Sequence, residues 1–417
     1  MANAKKGEEV MFFENSNTPW VKPSFCGTIL VAAVVAHLAH GAFDVRDFGA
    51  KGDGVAEDMV AVHGAIDAAD VVSDTNRFSC GSGTVACLSP DSRRILAPYL
   101  ASEAGRGECH DIAAVADIPL DNPQAAESFA VCHVGDVFCG ASVSSVLSYA
   151  SMIWRGCLRV YLDVNYETFG WRDWDPVSRK VVCEGLYRCR FGNTTRELSP
   201  SAIADYLALE GMRGFNPTKQ RGDRCIVQTK PQWIGGAFHG FVTSSYSQPV
   251  LFRCSDGETL EFVGVVPEIA EYECQLAICG GTFYALMRGA TGDNFWVSGD
   301  GGRTWKASGR LPDGRQRPQL AVFRSKILVG YSVPDEKPSR VRNGRNNFHL
   351  LEGTGGDLSS YREVLHLRDP IGVVYPDLVE AAGQMHLLWS NSARFPDFVK
   401  WGAVQGKDQV LHAKLGL

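Results

Sequence analysis

The chain has no apolar run long enough to cross a membrane. The longest, Ile29-Leu-Val-Ala-Ala-Val-Val-Ala-His37-Leu-Ala-His40, falls well short of the roughly 20 residues a spanning helix needs. It lies behind charged residues and away from Met1, unlike an ordinary signal peptide, so a buried strand or helix is expected there. Positive net charge is also missing. Lys and Arg number 41 against 47 Asp and Glu, a formal −6, which removes any global attraction to nucleic acid or an anionic membrane. An anionic ligand would have to be held by a local basic pocket. No C-x-x-C is followed by a matching second pair, so a structural zinc is not expected, although Cys132, His133 and Cys139 keep that reading open. No cofactor is expected. Long heptads and solenoid helices are absent too. What remains is 417 residues, 45% hydrophobic, with 44 glycines and 9 tryptophans, a composition suited to many tight turns and packed sheets. The 13 cysteines are odd in number and dispersed through apolar stretches, so free thiols and folding in a reducing cytoplasm are expected. Residues 1 to about 25 are polar and read as an arm.

Glu273-Cys-Gln-Leu-Ala-Ile-Cys-Gly280-Gly281-Thr-Phe-Tyr-Ala-Leu-Met-Arg288 reads as two apolar strands about a Gly-Gly turn. A hairpin brings its ends together, so a carboxylate and a guanidinium meet at one rim of a sheet. Either they form a rim ion pair or they grip a polar ligand. Further on, Ser298-Gly-Asp300-Gly-Gly302-Arg-Thr304-Trp305 offers a carboxylate for turn amides, glycines for unusual φ and an indole to pack below. Cys254-Ser-Asp256-Gly257-Glu-Thr259-Leu260 is a weaker copy, about one four-stranded blade earlier.

This pair of turns resembles the Asp-box, or bacterial neuraminidase repeat, of sialidase-like propellers. The resemblance implies an all-β fold, a six-bladed propeller of four-stranded antiparallel sheets over residues 111–417, with residues 1–110 as a smaller N-terminal region. In the sialidase superfamily a glutamate opens the first strand of a late blade and an arginine of the carboxylate-binding cluster closes the next, the places of Glu273 and Arg288. A further arginine precedes a strand of the following blade, the place of Arg345. The tyrosine nucleophile opens a strand of the last blade, the place of Tyr375. The chain departs from this pattern as well. It has no Arg-Ile-Pro, and Arg77 and Asp111 are the nearest stand-ins for the first arginine and the acid.

Bacteriophage endosialidase tailspikes also keep the glutamate and two arginines while lacking part of the exo-enzyme set, and Arg288-Gly-Ala-Thr-Gly-Asp293 resembles their motif. Residues 43–70, with Asp47-Phe48-Gly49-Ala50-Lys51-Gly52-Asp53-Gly54, resemble the strand, turn and short helix that begin pectate-lyase-type β-helices and many tailspikes. That likeness implies a virion-associated protein and, if it extends to assembly, a trimer. Arg310, Arg315, Arg317, Arg340, Arg342 and Arg345 form either a solvated loop run or a groove for successive carboxylates.

The resemblance implies hydrolysis of an acidic glycan or polysaccharide. Arg288, Arg345 and Arg317 would bind it, while Glu273 serves as base to Tyr375 or stabilises an oxocarbenium-like transition state. A lyase like the ulvan lyases would instead use Tyr272, His239 and Arg288. His239 reads first as a satisfied core histidine. A glycan-binding propeller without catalysis is the third reading.

Overall fold

The computed structural model describes residues 70–73, 79–83, 85–102, 111–148, 150–212, 225–227, 229–244, 247–270, 273–290, 292–312, 318–333, 347–368, 373–391 and 409–417. All belong to one compact unit, Gly41–Leu417. The apolar segment Ile29–His40, the motif of residues 43–69 and Arg77 lie outside the described residues. Strand accounts for 59% and helix for 6%, in six small sheets arranged as a six-bladed β-propeller.

Blade four shows the plan: Cys274–Cys279, Thr282–Met287, Phe295–Ser298 and Lys306–Gly309, each antiparallel to the next. Blade five repeats it with Gln319–Phe323, Lys326–Val333, Asn347–Gly353 and Arg362–Arg368. Blades one to three break the inner strand into two pieces. These are Ser79–Gly83 with Cys87–Leu88, Val146–Leu147 with Ser151–Trp154, and Cys225–Val227 with Gln232–Ile234. Blade three also gains Arg188–Phe191 on its outer edge, parallel to Thr259–Val265.

The hairpin between inner and second strand has one recurring geometry. Both central residues have positive φ at Arg155-Gly156 (49°, 85°), Gly235-Gly236 (58°, 77°), Gly280-Gly281 (57°, 81°), Arg324-Ser325 (49°, 62°) and Ala382-Gly383 (51°, 74°). Such turns follow the right-handed twist of the strands they join, which is why they recur in two-residue hairpins. Because blades repeat by rotation about one axis, these turns share one end of the propeller. The opposite end, where inner strands begin and second strands finish, is called the mouth below.

Blade six contains Val374–Ala381, Gln384–Asn391 and Gln409–Leu415, and its outermost strand is Asp70–Ser73, with Asp70 opposite His412. An early strand thus closes the ring against the last one. The expected boundary between residues 110 and 111 does not separate sheets, since Arg94–Ser102 pairs along its length with Ile112–Pro119 in blade one. A strand with an unpaired edge inside a closing ring would leave backbone groups unsatisfied, and the earlier residues supply the missing partners.

Apolar side chains fill the spaces between blades. Phe241 and Leu251 of blade three meet Leu276 and Phe283 of blade four, with Trp305 against them. Trp305 belongs to the turn Ser298–Trp305, in which Asp300 accepts from the backbone of Arg303 (3.1 Å) and Thr304 (3.0 Å) and from the Thr304 hydroxyl (2.6 Å). These bonds hold the Asp300 carboxyl far below the usual range. Gly302 has φ 84°, which a side chain would strain, and a Cβ there would push on the Leu251 side chain. The earlier copy works similarly: Asp256 accepts from Glu258 and Thr259 at 2.9 and 2.7 Å. Both turns join third to fourth strands, at the hairpin end and away from the axis.

Polar bonds cross the axis itself. Lys230 of blade three donates to the Leu378 carbonyl of blade six at 3.0 Å and lies 3.7 Å from Asp377, whose carboxylate also accepts from the Ala86 amide of blade one at 2.6 Å. Blades three and six stand opposite each other in a six-membered ring, so this lysine spans the channel. Nine described cysteines are free thiols, five of them buried; Cys139 and Cys183 are exposed. Burial pushes the Cys132 and Cys254 thiols up to about 11 and about 12.

Candidate functional site

The inner hairpin of blade four pairs six residues on each strand, from Cys274 opposite Met287 to Cys279 opposite Thr282. One residue beyond the ladder, the Arg288 amide donates to the Glu273 carbonyl at 2.9 Å. The side chains meet there: Arg288 Nη1 donates to Glu273 Oε2 at 2.6 Å. Glu273 is fully buried, and the Arg288 side chain keeps 16% of its surface exposed. The pair therefore presents its cation to solvent and hides its anion behind it. Glu273 Oε1 is buried with no hydrogen-bond partner among the described residues. Leaving a buried acceptor unmatched costs about 1–3 kcal/mol, and a donor brought to this oxygen would recover that cost. The negative charge also reaches Cys274, whose thiol is pushed up by burial first and by Glu273 second.

Other buried polar groups gather toward the same end. Gln275 and Gln319, both 2% exposed, are the second residue of the inner strand in blade four and the first in blade five, and these two strands touch. Ser332 and Asn347 stand near the mouth end of their strands in blade five. Asp163 holds the corresponding place in blade two and Thr243 in blade three. Polar residues at otherwise apolar positions near strand ends are the sequence signal that would find them.

Tyr375 is half-buried on the inner strand of blade six, at its mouth end. Its φ of 46° accompanies a break in pairing register between Val374 and Asp377. A left-handed conformation is costly for an aromatic residue and is held only where its surroundings over-determine it. Asp111 is partly buried, at the start of the third strand of blade one and so also at the mouth end. Arg345, Arg317 and Tyr272 lie outside the described residues, as do Arg315, Arg340 and Arg342. Arg310 donates to the carbonyls of Gly292 (2.7 Å) and Ala290 (3.5 Å), pinning the loop that follows Arg288.

His239 does not reach the cleft. It sits on the second strand of blade three, opposite Gln232 and Arg253, 8% exposed and edge-on to Phe283 of blade four at 5.5 Å. Five residues separate it from the strand's mouth end at Ser244, about 16 Å at the usual rise of ~3.3 Å per residue. Burial, then the charge of Arg253, lowers its pKa. It fills the space between two blades, which removes it from a catalytic set at the mouth.

Cys132, His133 and Cys139 do not gather into a metal-binding group: Cys132 is in the core and Cys139 is exposed on a turn. The group of metal-competent side chains among the described residues is His349, Glu363 and His366 in blade five. Its rings stack, with Tyr331 on His349 at 5.2 Å and His349 on His366 at 4.2 Å. His349 Nδ1 meets Glu363 at 2.6 Å and His366 Nε2 meets Asn347 at 2.8 Å. Parallel rings send their nitrogen lone pairs side by side, so the group suits a hydrogen-bonded ladder better than a shared ion.

No known family profile matches the chain, and no curated protein is similar to it in sequence. Solved structures are similar in fold. A Dyadobacter fermentans protein of unknown function matches with a TM-score of 0.56 and 9% identity, over 83% of this chain and 96% of that one. A mutant Trypanosoma rangeli sialidase displaying trans-sialidase activity matches at 0.51 and 10%, over 82% of this chain and 56% of that one. The phage phi92 endosialidase matches at 0.51 and 9%, over 84% and 69%. Identity this low establishes a shared propeller architecture. This chain spans little more than half of the trypanosome enzyme.

Proposed function

We propose that the protein acts on an acidic glycan, hydrolysing a glycosidic bond at the mouth of the propeller. The observation that carries this reading is Glu273: a fully buried carboxylate held on one oxygen by Arg288 and unmatched on the other. The bond on Oε2 fixes the arginine's orientation, and a guanidinium so held is preorganised to receive a substrate carboxylate in a planar fork. The unmatched Oε1 is an acceptor ready for a hydroxyl proton. A phenol is a poor nucleophile at its ordinary pKa and needs such a base, so Tyr375 is assigned the nucleophile's role with Glu273 as its base. Arg345 and Arg317 are assigned to further carboxylate contacts. Water or the substrate assists the leaving group. Fold neighbours that are sialidases and an endosialidase support glycan activity of this general kind, and the two Asp-centred turns support the same likeness. A tailspike trimer remains a proposal on the likeness to the phage enzyme alone.

Incubation with a panel of acidic polysaccharides, followed by sizing of the products, tests the reading. Shorter chains with new reducing ends and no near-ultraviolet absorbance are expected. An absorbing unsaturated product would indicate a lyase, and unchanged polymer with retained binding would indicate a glycan-binding propeller. Tyr375→Phe should abolish turnover; full activity in that variant contradicts the tyrosine's assignment.

A further inference from the structure

The other end of the axis carries a cavity of ≈ 440 Å³ between the inner strands of blades one, two and three. Its wall includes three aromatic rings, Trp154, Trp233 and Phe238. Trp233 is 58% exposed, and its indole meets Phe238 edge to face at 4.6 Å. Trp154 lies against the same phenylalanine at 5.8 Å, tilted by 59°. Trp154 ends its inner strand and Trp233 stands one residue from the end of its own, next to the hairpins Arg155-Gly156 and Gly235-Gly236, so the cavity opens opposite the mouth. The Trp233 indole is held by a buried partner with more than half of its surface in water, whereas Trp154 is partly buried, with Arg155 and Arg159 against its ring.

The polar groups at the rim are cationic. Arg155 is exposed on its hairpin, with its guanidinium 5.2 Å from the Trp154 ring centre, and it has no carboxylate partner among the described residues. Lys230 forms the back wall, already engaged with Leu378 and Asp377, while Ser151 donates to the Val85 carbonyl. The cavity therefore offers a flat apolar platform, one uncommitted positive charge at its edge and a satisfied polar floor.

We infer that this cavity is a second saccharide site, taking one sugar ring that bears a carboxylate. A pyranose has a face of C–H groups that covers an indole, hydroxyls at its edge for a polar rim, and a size within what a cavity of a few hundred Å³ holds. Arg155 receives the carboxylate, and its planar fork matches that group. A hydrophobic peptide side chain would use the platform but leave Arg155 unanswered. The inference stands on this cavity alone and does not depend on the mouth being catalytic.

The test uses the full chain carrying Arg288→Lys, which weakens binding at the mouth, and follows tryptophan fluorescence and calorimetry with sodium glucuronate, N-acetylneuraminate and glucose. Saturable binding of an acidic sugar in preference to glucose is expected. Trp233→Ala should weaken it at least roughly tenfold, and Arg155→Gln should remove the preference for the acid, with unfolding midpoints unchanged in both. Failure of both acids to bind up to about 10 mM overturns the inference, as does equal binding of glucose. Unchanged affinity in Trp233→Ala overturns it as well.

Discussion

The two ends of the axis treat charge in opposite ways. At the mouth, Glu273 is fully buried and Arg288 is bound to it at 2.6 Å. At the hairpin end, Arg155 is exposed beside Trp154, and Trp233 keeps 58% of its surface in water. A buried pair belongs to the folding energy of the molecule as much as to any ligand, since removing one partner strands the other in low dielectric. An exposed platform has little stake in folding. One end should therefore respond to substitution in stability and function together, and the other in binding alone.

Replacing Arg288 with Ala gives the largest contrast. It leaves Glu273 buried without its cation and should cost about 3–5 kcal/mol in chemical denaturation, whereas Arg155→Ala should stay within about 0.5 kcal/mol. Equal costs would break the comparison. Trp305→Ala comes next, at roughly 3 kcal/mol, because the indole packs against Phe241 between blades three and four. Saccharide affinity of the folded fraction should be unchanged, since the Asp300 turn lies off the axis.

Acid should act gradually, through blade six. Burial first, and then the neighbouring His412 at 2.8 Å, lowers the His386 imidazole to about 3. The unfolded chain takes up this proton below about pH 6.5, while the folded chain does not until about pH 3. Stability is therefore complete above about pH 6.5 and declines as pH falls, by up to about 1.4 kcal/mol per pH unit from this group. His386→Gln should flatten that part of a denaturation profile recorded against pH. Unaltered slope would show that the pair is already protonated or solvated.

The legible parts of the molecule were local. Gly280-Gly281 marks its hairpin because glycine is the residue most at ease with the φ values that turn requires. The Asp300 turn completes its hydrogen bonds within eight residues. Arg324-Ser325 adopts the same hairpin conformation without any glycine, held by the strands on either side, so its sequence carries no turn signal. Closure was hidden for another reason: Asp70 meets His412 only once the ring has formed. Lys230 and Leu378 likewise come together across the axis, through a contact that no local pattern encodes. At the site, the spacing of Glu273 and Arg288 about a two-residue turn was readable. His239 was read first as a core histidine, and its burial against Phe283 agrees with that, although strand alternation alone does not say which face looks toward the axis.

The proposed role of Arg288, fixed by Glu273, is to receive a substrate carboxylate. It is tested most directly by comparing cleavage of an acidic polysaccharide with cleavage of the same polymer after its carboxylates are reduced to alcohols, for the wild type and Arg288→Lys. Rapid scission of the acidic polymer by the wild type alone is expected, with the reduced polymer cut slowly and equally by both proteins. Equal rates on the two polymers, or an Arg288→Lys protein that still prefers the acidic one, would contradict it.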